Sequence, residues 1–486
     1  MTAFLLELIP PLAQGLAPLL LSLLHLACAL SVTVHALLNK REVHTAIGWI
    51  ALAWLAPLLG ALLYLMLGVN RIQRAAVALG LRRTWLEDAR HAGVGNEVDA
   101  ACLPELAGIN QLTRQVTGRS LLAGNAVTPL VQGDEAFPAM LAAIHAAQHS
   151  VTLLSYIFSD DVAGRAFAEA LAQAVTRGVQ VRVLIDAVGA RYSRSNMVRR
   201  LRHAGVPAAA FLPPRLTRLL AQANLRNHRK IMVVDGALGF TGGTNISAGH
   251  WLSTQPAQPI QCLHFAVRGP VVTDLQRTFA IDWAFTTGEA LHGSPWFVAN
   301  APCGPVLARG VTDGPDADMD HMRQVILGAL ASARHRVRIV TPYFLPDDVL
   351  LTTLRVTALR GVGVDILLPA RSNLPLMDWA MRPQFADLVA SGCRVYLSGP
   401  VFDHAKLFLV DDAWSLIGST NWDARSLRLN FEYNLECHDA QLVQQLDALV
   451  KVRLARAHRL TEAELTRQPL AGRLRDRLVW LLSPYL

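Results

Sequence analysis

Asn227-His228-Arg229-Lys230-Ile231-Met232-Val233-Val234-Asp235-Gly236 is followed, seven residues after its aspartate, by Gly242-Gly243-Thr244-Asn245. The pattern returns as His404-Ala405-Lys406-Leu407-Phe408-Leu409-Val410-Asp411, with Gly418-Ser419-Thr420-Asn421 again seven residues on. His, Lys, Asp, Gly and Asn recurring at one spacing in two places point to duplication rather than chance. Each copy reads as a strand. Alternate side chains of a strand share a face, so His228 with Lys230, or His404 with Lys406, can reach one phosphate while Arg229 or Ala405 faces away. The apolar run that follows buries the strand, and a turn at Gly242 or Gly418 brings Asn245 or Asn421 back within reach of a phosphate oxygen.

The repetition extends outward from these motifs. Arg177-Gly178-Val179-Gln180-Val181-Arg182-Val183-Leu184-Ile185-Asp186 is answered by Arg360-Gly361-Val362-Gly363-Val364-Asp365-Ile366-Leu367-Leu368-Pro369, in both cases a helix end running into a buried strand. Upstream, Val151 to Tyr156 matches Val337 to Tyr343. Short β-branched runs alternating with amphipathic helices predict an α/β body, built from two copies of one unit with a shared site at their junction. The expected halves are residues 117–300 and 301–486.

Two stretches without Asp, Glu, Lys or Arg, Ile9 to Leu38 and Thr45 to Val69, precede the body. Each exceeds the roughly 20 residues that cross a bilayer, so two transmembrane helices are expected within residues 1–70, joined by a tight turn and followed by a juxtamembrane linker over 71–116. Trp49, Trp54 and Tyr64 are either interfacial anchors or packing residues, and Pro57 and Gly60 are tolerated within a lipid-embedded helix. Glu7, the lack of a basic start and the second span argue against a cleaved signal peptide. Arg71, Arg74, Arg82 and Arg83 outnumber Lys40 and Arg41, which places the body in the cytoplasm by the positive-inside bias. The composition, 52% hydrophobic and only 17% charged, is also too apolar for a typical soluble chain of this length. The net charge of +8 suits either nucleic acid or an anionic membrane; the apolar excess favours the membrane. The six cysteines are scattered without zinc spacing and read as free thiols.

Paired HxKxxxxD motifs followed by GGxN or GSxN resemble the signature of the phospholipase D superfamily. Tyr156-Ile157-Phe158-Ser159-Asp160-Asp161, Phe211-Leu212-Pro213-Pro214-Arg215, Thr341-Pro342-Tyr343-Phe344-Leu345-Pro346, the second apolar stretch and the leucine-rich C-terminal tail make the whole chain similar to bacterial cardiolipin synthases. That resemblance implies a multi-pass inner-membrane enzyme with its catalytic body on the cytoplasmic side. It would join two phosphatidylglycerol molecules into cardiolipin and release glycerol, with phosphatidylglycerol and other anionic phospholipids as partners, no nucleic acid, no metal and no cofactor. One histidine would attack phosphorus and the other would move the proton; we assign His228 as nucleophile and His404 as acid/base. Lys230, Lys406, Asn245 and Asn421 would hold the non-bridging oxygens.

The resemblance also implies a carboxylate after each motif that orients its histidine. Glu432 stands where that residue is expected for His404, whereas Cys262 replaces the aspartate expected for His228. Cys262 itself reads as a buried structural thiol. Asp235 and Asp411 are either turn-closing residues or direct electrostatic participants. Tyr156 and Tyr343 either line the site or pack, and His25, His35, His250 and His335 read as structural. Ala210 to Leu225, with Arg215 and Arg218 among leucines and prolines, is either an interfacial loop or a surface helix. Three other readings stand beside the synthase: a hydrolase or transferase of the same chemistry using water or another donor such as phosphatidylethanolamine, a superfamily nuclease, and a non-catalytic lipid-binding scaffold.

Overall fold

One sheet runs through the body of the protein, and its strand order repeats. From the centre outward, the first half contributes Leu122–Val131, Leu263–Arg268, Leu238–Gly242, Ile231–Val234, Ser150–Ser155, Gln180–Asp186 and Ala208–Phe211. The second half contributes Val306–Asp313, Asn430–His438, Trp414–Gly418, Leu407–Val410, Arg336–Val340, Gly363–Pro369 and Arg394–Ser398 in the corresponding order. The halves meet where Leu122 pairs with Ala308 and Asn125 with Val306. This is the expected α/β duplication, seen in a computed structural model that describes residues 11–40, 43–68, 97–98, 106–192, 196–213, 225–315 and 318–483.

The physical cause of the layering is legible in the strands. Ser150–Ser155, Ile231–Val234 and Leu407–Val410 are buried along their whole length, as strands covered by helices on both faces must be. Phe265, Val272 and Leu275 of the first half and Ile417, Tyr433 and Leu435 of the second belong to one apolar cluster, so neither half buries its surface alone. An internal ion pair, Arg309 to Glu436 at 2.5 Å, lies in the central strands; Trp414 Nε1 donates to the same carboxylate at 2.8 Å. The helix Ala107–Thr117, expected within the linker, belongs to this body: Ile109 is buried against Gly328, and Arg309 donates to the Asn110 carbonyl at 3.1 Å.

The N-terminal helices form a separate unit. Helix Pro11–Asn39, 29 residues, is about 44 Å long at 1.5 Å per residue and is the one helix among the described residues long and apolar enough to cross a bilayer. The second apolar stretch forms no single long helix among the described residues, so a second crossing is not borne out. Helix Val43–Leu55 stops at Ala56 (φ −142°, ψ 74°), and Pro57–Leu63 with a π-turn Tyr64–Gly68 folds back beside it. A Cβ on Gly60 would lie 2.6 Å from the Leu52 carbonyl oxygen, and the Trp49 and Tyr64 rings are 5.3 Å apart. Residues paired about Ala56–Pro57 make a hairpin, not a rod. Proline suits the tip because the first helical position needs no N–H, and glycine lets the two arms touch. Tyr64 is therefore a packing residue, its hydroxyl 2.7 Å from His35 Nδ1.

Arg71, Arg74, Arg82, Arg83 and most of the expected linker lie outside the described residues. So do residues 214–224 of the expected interfacial loop; Ala210 and Phe211 at its start are sheet residues.

Candidate active site

The two motifs converge at the junction of the halves. His228 and His404 each precede the short buried strand of their half, and each is tied to the opposite half by its backbone: His228 N donates to Phe431 O at 2.9 Å, His404 N to Gln261 O at 2.7 Å. The rings lie 6.3 Å apart, centroid to centroid, too far to bond one another and spaced to flank a single phosphoryl group. Lys230 Nζ donates to the His228 carbonyl at 2.6 Å and Lys406 Nζ to the His404 carbonyl at 2.7 Å, which fixes both ammonium groups beside the rings. Arg229 points to the opposite side, onto Asp282 at 2.6 Å. The alternation expected from the strand geometry therefore holds.

The ring nitrogens are held differently. His228 Nδ1 lies 3.2 Å from both the Glu432 carboxylate and the Ser419 carbonyl, while His404 Nδ1 lies 3.0 Å from the Gly243 carbonyl. Gly243 is required here, because a Cβ would lie 2.8 Å from the His404 carbonyl oxygen and 2.6 Å from Cys262 Sγ. Ladder register explains the asymmetry. Gly242 pairs with His264 and Gly418 with Asn434, so Cys262 and Glu432, each two residues earlier, occupy equivalent places. The sequence-based pairing is thus corrected: the carboxylate serves His228 across the junction, and His404 is the histidine that meets a cysteine, whose Sγ is 3.4 Å from its carbonyl oxygen.

Burial dominates the electrostatics. It lowers His228 to about 4 against the opposing pull of Glu432, and it drives His404 well below the ordinary imidazole value, helped by Lys406. Both shifts favour the neutral imidazole. Burial also brings Lys230 down to about 8 and Lys406 to about 7. Burial pushes the Glu432 carboxyl up, but His228, Lys230 and Ser419 outweigh that and hold it low; the Cys262 thiol is pushed up by burial and stays protonated.

A family profile described as "Cardiolipin synthase, PLD-like domain" matches residues 140–283 and 326–452, one segment in each half. The chain belongs to the cardiolipin synthase family of phospholipase D-like proteins. A second profile, "Phospholipase_D-nuclease N-terminal", matches residues 27–68. Cardiolipin synthase A of Pseudomonas putida is 34% identical over 96% of this chain and 97% of its own length. The major cardiolipin synthase of Bacillus subtilis is 29% identical over 97% of this chain and 100% of its own. The solved phosphatidylserine synthase of Haemophilus influenzae Rd KW20 superposes with a TM-score of 0.61 at 16% identity, over 78% of this chain and 100% of that one, which speaks for the fold alone.

Other residues singled out in this family member fall into place around that centre. Asn245 and Asn421 are buried, and Asn245 Oδ1 accepts from the Ile157 N–H at 3.3 Å, next to Tyr156. Asn421 Nδ2 donates to Ser426 Oγ at 3.1 Å while its buried Oδ1 has no partner among the described residues. Since a hydroxyl both donates and accepts, turning the amide over keeps the serine bond and presents N–H donors at the orphaned position. Asp235 and Asp411 are corrected out of the site. Asp235 accepts from the backbone N–H groups of Gln148, His149 and Ser150, and Asp411 from those of Arg334, His335 and Arg336. Both stand beyond the far end of a four-residue strand, about 17 Å of chain from the lysine. Tyr156 does line the centre, its ring 5.0 Å from His228; Tyr343 instead bonds Asn373 at 2.6 Å. Two residues that the sequence did not single out as site residues also reach it: Phe402, 5.9 Å from the His404 ring, and His250, 6.0 Å from it and buried. Nothing in the local sequence marks His250, which reads as an ordinary structural histidine until the halves are brought together.

Proposed function

We propose that the protein is a cardiolipin synthase that transfers a phosphatidyl group from one phosphatidylglycerol to another and releases glycerol. The observation that carries this reading is the facing pair of His–Lys motifs at one buried junction, with a carboxylate on only one of the two imidazoles. Glu432 accepts the Nδ1 proton of His228 and leaves the Nε2 lone pair available, which makes His228 the nucleophile. Its Nε2 attacks phosphorus, the bond from phosphorus to the glycerol oxygen breaks, and His404 supplies the proton to that oxygen. The negative phosphodiester raises the proton affinity of His404 on binding. The hydroxyl of the second phosphatidylglycerol then gives its proton to His404 and attacks, and the phosphorus–nitrogen bond breaks. Lys230, Lys406, Asn245 and Asn421 hold the non-bridging oxygens as charge builds on them.

We further propose that the body works at the cytoplasmic face of the inner membrane, divided near residue 300 into its two halves. The hairpin supports this side more strongly than two crossings would. Its arms, 13 residues in Val43–Leu55 and a similar length returning, span about 20 Å, short of the ~30 Å hydrocarbon core. Val43, Ile47, Trp54, Leu55, Leu58, Leu59, Leu62 and Leu65 are exposed on it, as residues facing lipid are. A hairpin that enters and leaves on one side returns the chain to Lys40, whose Nζ donates to the Gly68 carbonyl at 2.5 Å, so basic residues flanking the apolar stretch in the sequence favour one orientation.

The test is incubation of the purified protein in detergent with headgroup-labelled phosphatidylglycerol. Equal yields of glycerol and cardiolipin are expected. Phosphatidic acid in place of cardiolipin would make it a hydrolase, and no release of glycerol would overturn the donor.

A further inference from the structure

The last described helix, Leu470–Trp480, carries a face that nothing among the described residues covers. Leu470, Leu474 and Leu478, with Leu481 and Leu482 just beyond, are between 48% and 68% exposed. At about 100° per residue these five leucines fall within an arc of roughly 120°. Arg473 and Arg477 border one edge of that arc, and Arg475 borders the other.

The helix is held in this orientation from beneath. Asp476 is buried and accepts from Gln468 Nε2 at 2.6 Å and Arg475 Nη2 at 2.7 Å. The Arg475 guanidinium lies 4.4 Å from the centre of the Trp379 ring, on helix Pro375–Ala390. Val479 and Trp480 pack against the core of the second half. The leucines therefore face outward because their opposite side is docked, not because the tail is loose. Leu374 and Leu376, at the start of the helix beneath, are exposed as well.

We propose that this helix lies in the surface of an anionic bilayer and docks the catalytic body onto it. A leucine face bracketed on both edges by arginines has the pattern of an in-plane interfacial helix, in which leucines enter the acyl boundary and guanidinium groups meet phosphates. From Arg467 to Ser483 the segment carries four arginines against one aspartate, so the charge around the apolar face complements anionic headgroups. The surface belongs to the catalytic body itself and none of its leucines or arginines is among the residues proposed to hold substrate phosphate.

The experiment places an environment-sensitive fluorophore on Leu478→Cys, with Cys102 and Cys303 replaced by serine, in the full chain. The protein is reconstituted into phosphatidylcholine vesicles containing a minority of phosphatidylglycerol. Quenching by a lipid-attached nitroxide and protection from aqueous iodide are expected, both weakening severalfold in pure phosphatidylcholine and in a further Leu470→Glu/Leu474→Glu variant. A melting temperature unchanged by the glutamates would establish that the loss is not unfolding. Free quenching by iodide with none by lipid would overturn the proposal. So would protection that persists in detergent alongside a doubled mass, since the face would then cover a second copy of the chain.

Discussion

Glu432 and His228, 204 residues apart, are joined by a hydrogen bond of 3.2 Å across the junction of the two halves. The carboxylate comes from the strand after the second motif and the imidazole from the first. Neither half can therefore assemble its own oriented histidine. Replacing Glu432 by Gln keeps the shape and removes the charge that stabilises an imidazolium. The expected result is a fall in kcat of about 10²–10⁴-fold with little change in KM and an unaltered melting temperature, read from steady-state kinetics on phosphatidylglycerol.

The equivalent place in the first half holds Cys262, against His404. A carboxylate there, as in Cys262→Glu, would raise the proton affinity of His404 and shift the pH–rate profile upward. Cys262→Ser should leave that profile where it is, because the buried thiol carries no charge to lose. A serine variant with a displaced profile would give the thiol a role we have not assigned.

Lys406 at about 7 and Lys230 at about 8 predict the alkaline limb. A depressed lysine is cationic only below its own value, so phosphate binding is supported at lower pH and lost as pH rises through 7 and 8. kcat/KM, which reports the free enzyme, should decline across that window. Lys406→Arg should move the decline to higher pH, since guanidinium does not titrate there.

Asp235→Asn and Asp411→Asn test the opposite kind of role. Each aspartate sits at positive φ, 51° and 52°, where asparagine is tolerated, and each collects three backbone N–H groups. The amide has one oxygen to accept with, so unfolding should become easier by about 1–3 kcal/mol. Specific activity well below the melting temperature should stay near that of the native protein, measured on the same preparations.

The hairpin predicts a topology that can be read in intact cells. A cysteine introduced at Thr2 should react with a membrane-impermeant maleimide from outside, whereas one at Thr352 should react only after lysis. Two full crossings would protect both positions until lysis.

By itself the sequence determined the repeated α/β unit, the two His–Lys pairs and the side of the strand on which they stand. These are properties of a period of two and of motif spacing, and they hold within a few residues of chain. It also determined that the chain begins with apolar segments, because length without charge is a local quantity. Tertiary structure alone decided which carboxylate meets which histidine. Equivalent positions in two copies of one unit look alike in the sequence, and only the junction shows that each copy completes the other. The same holds for His250, which becomes a neighbour of His404 only when the halves close. In the anchor, Pro57 and Gly60 are compatible with a straight lipid-embedded helix or with a reversal. The contact of Gly60 with the Leu52–Ala53 backbone selects the reversal, and a contact between two arms is not written in either arm.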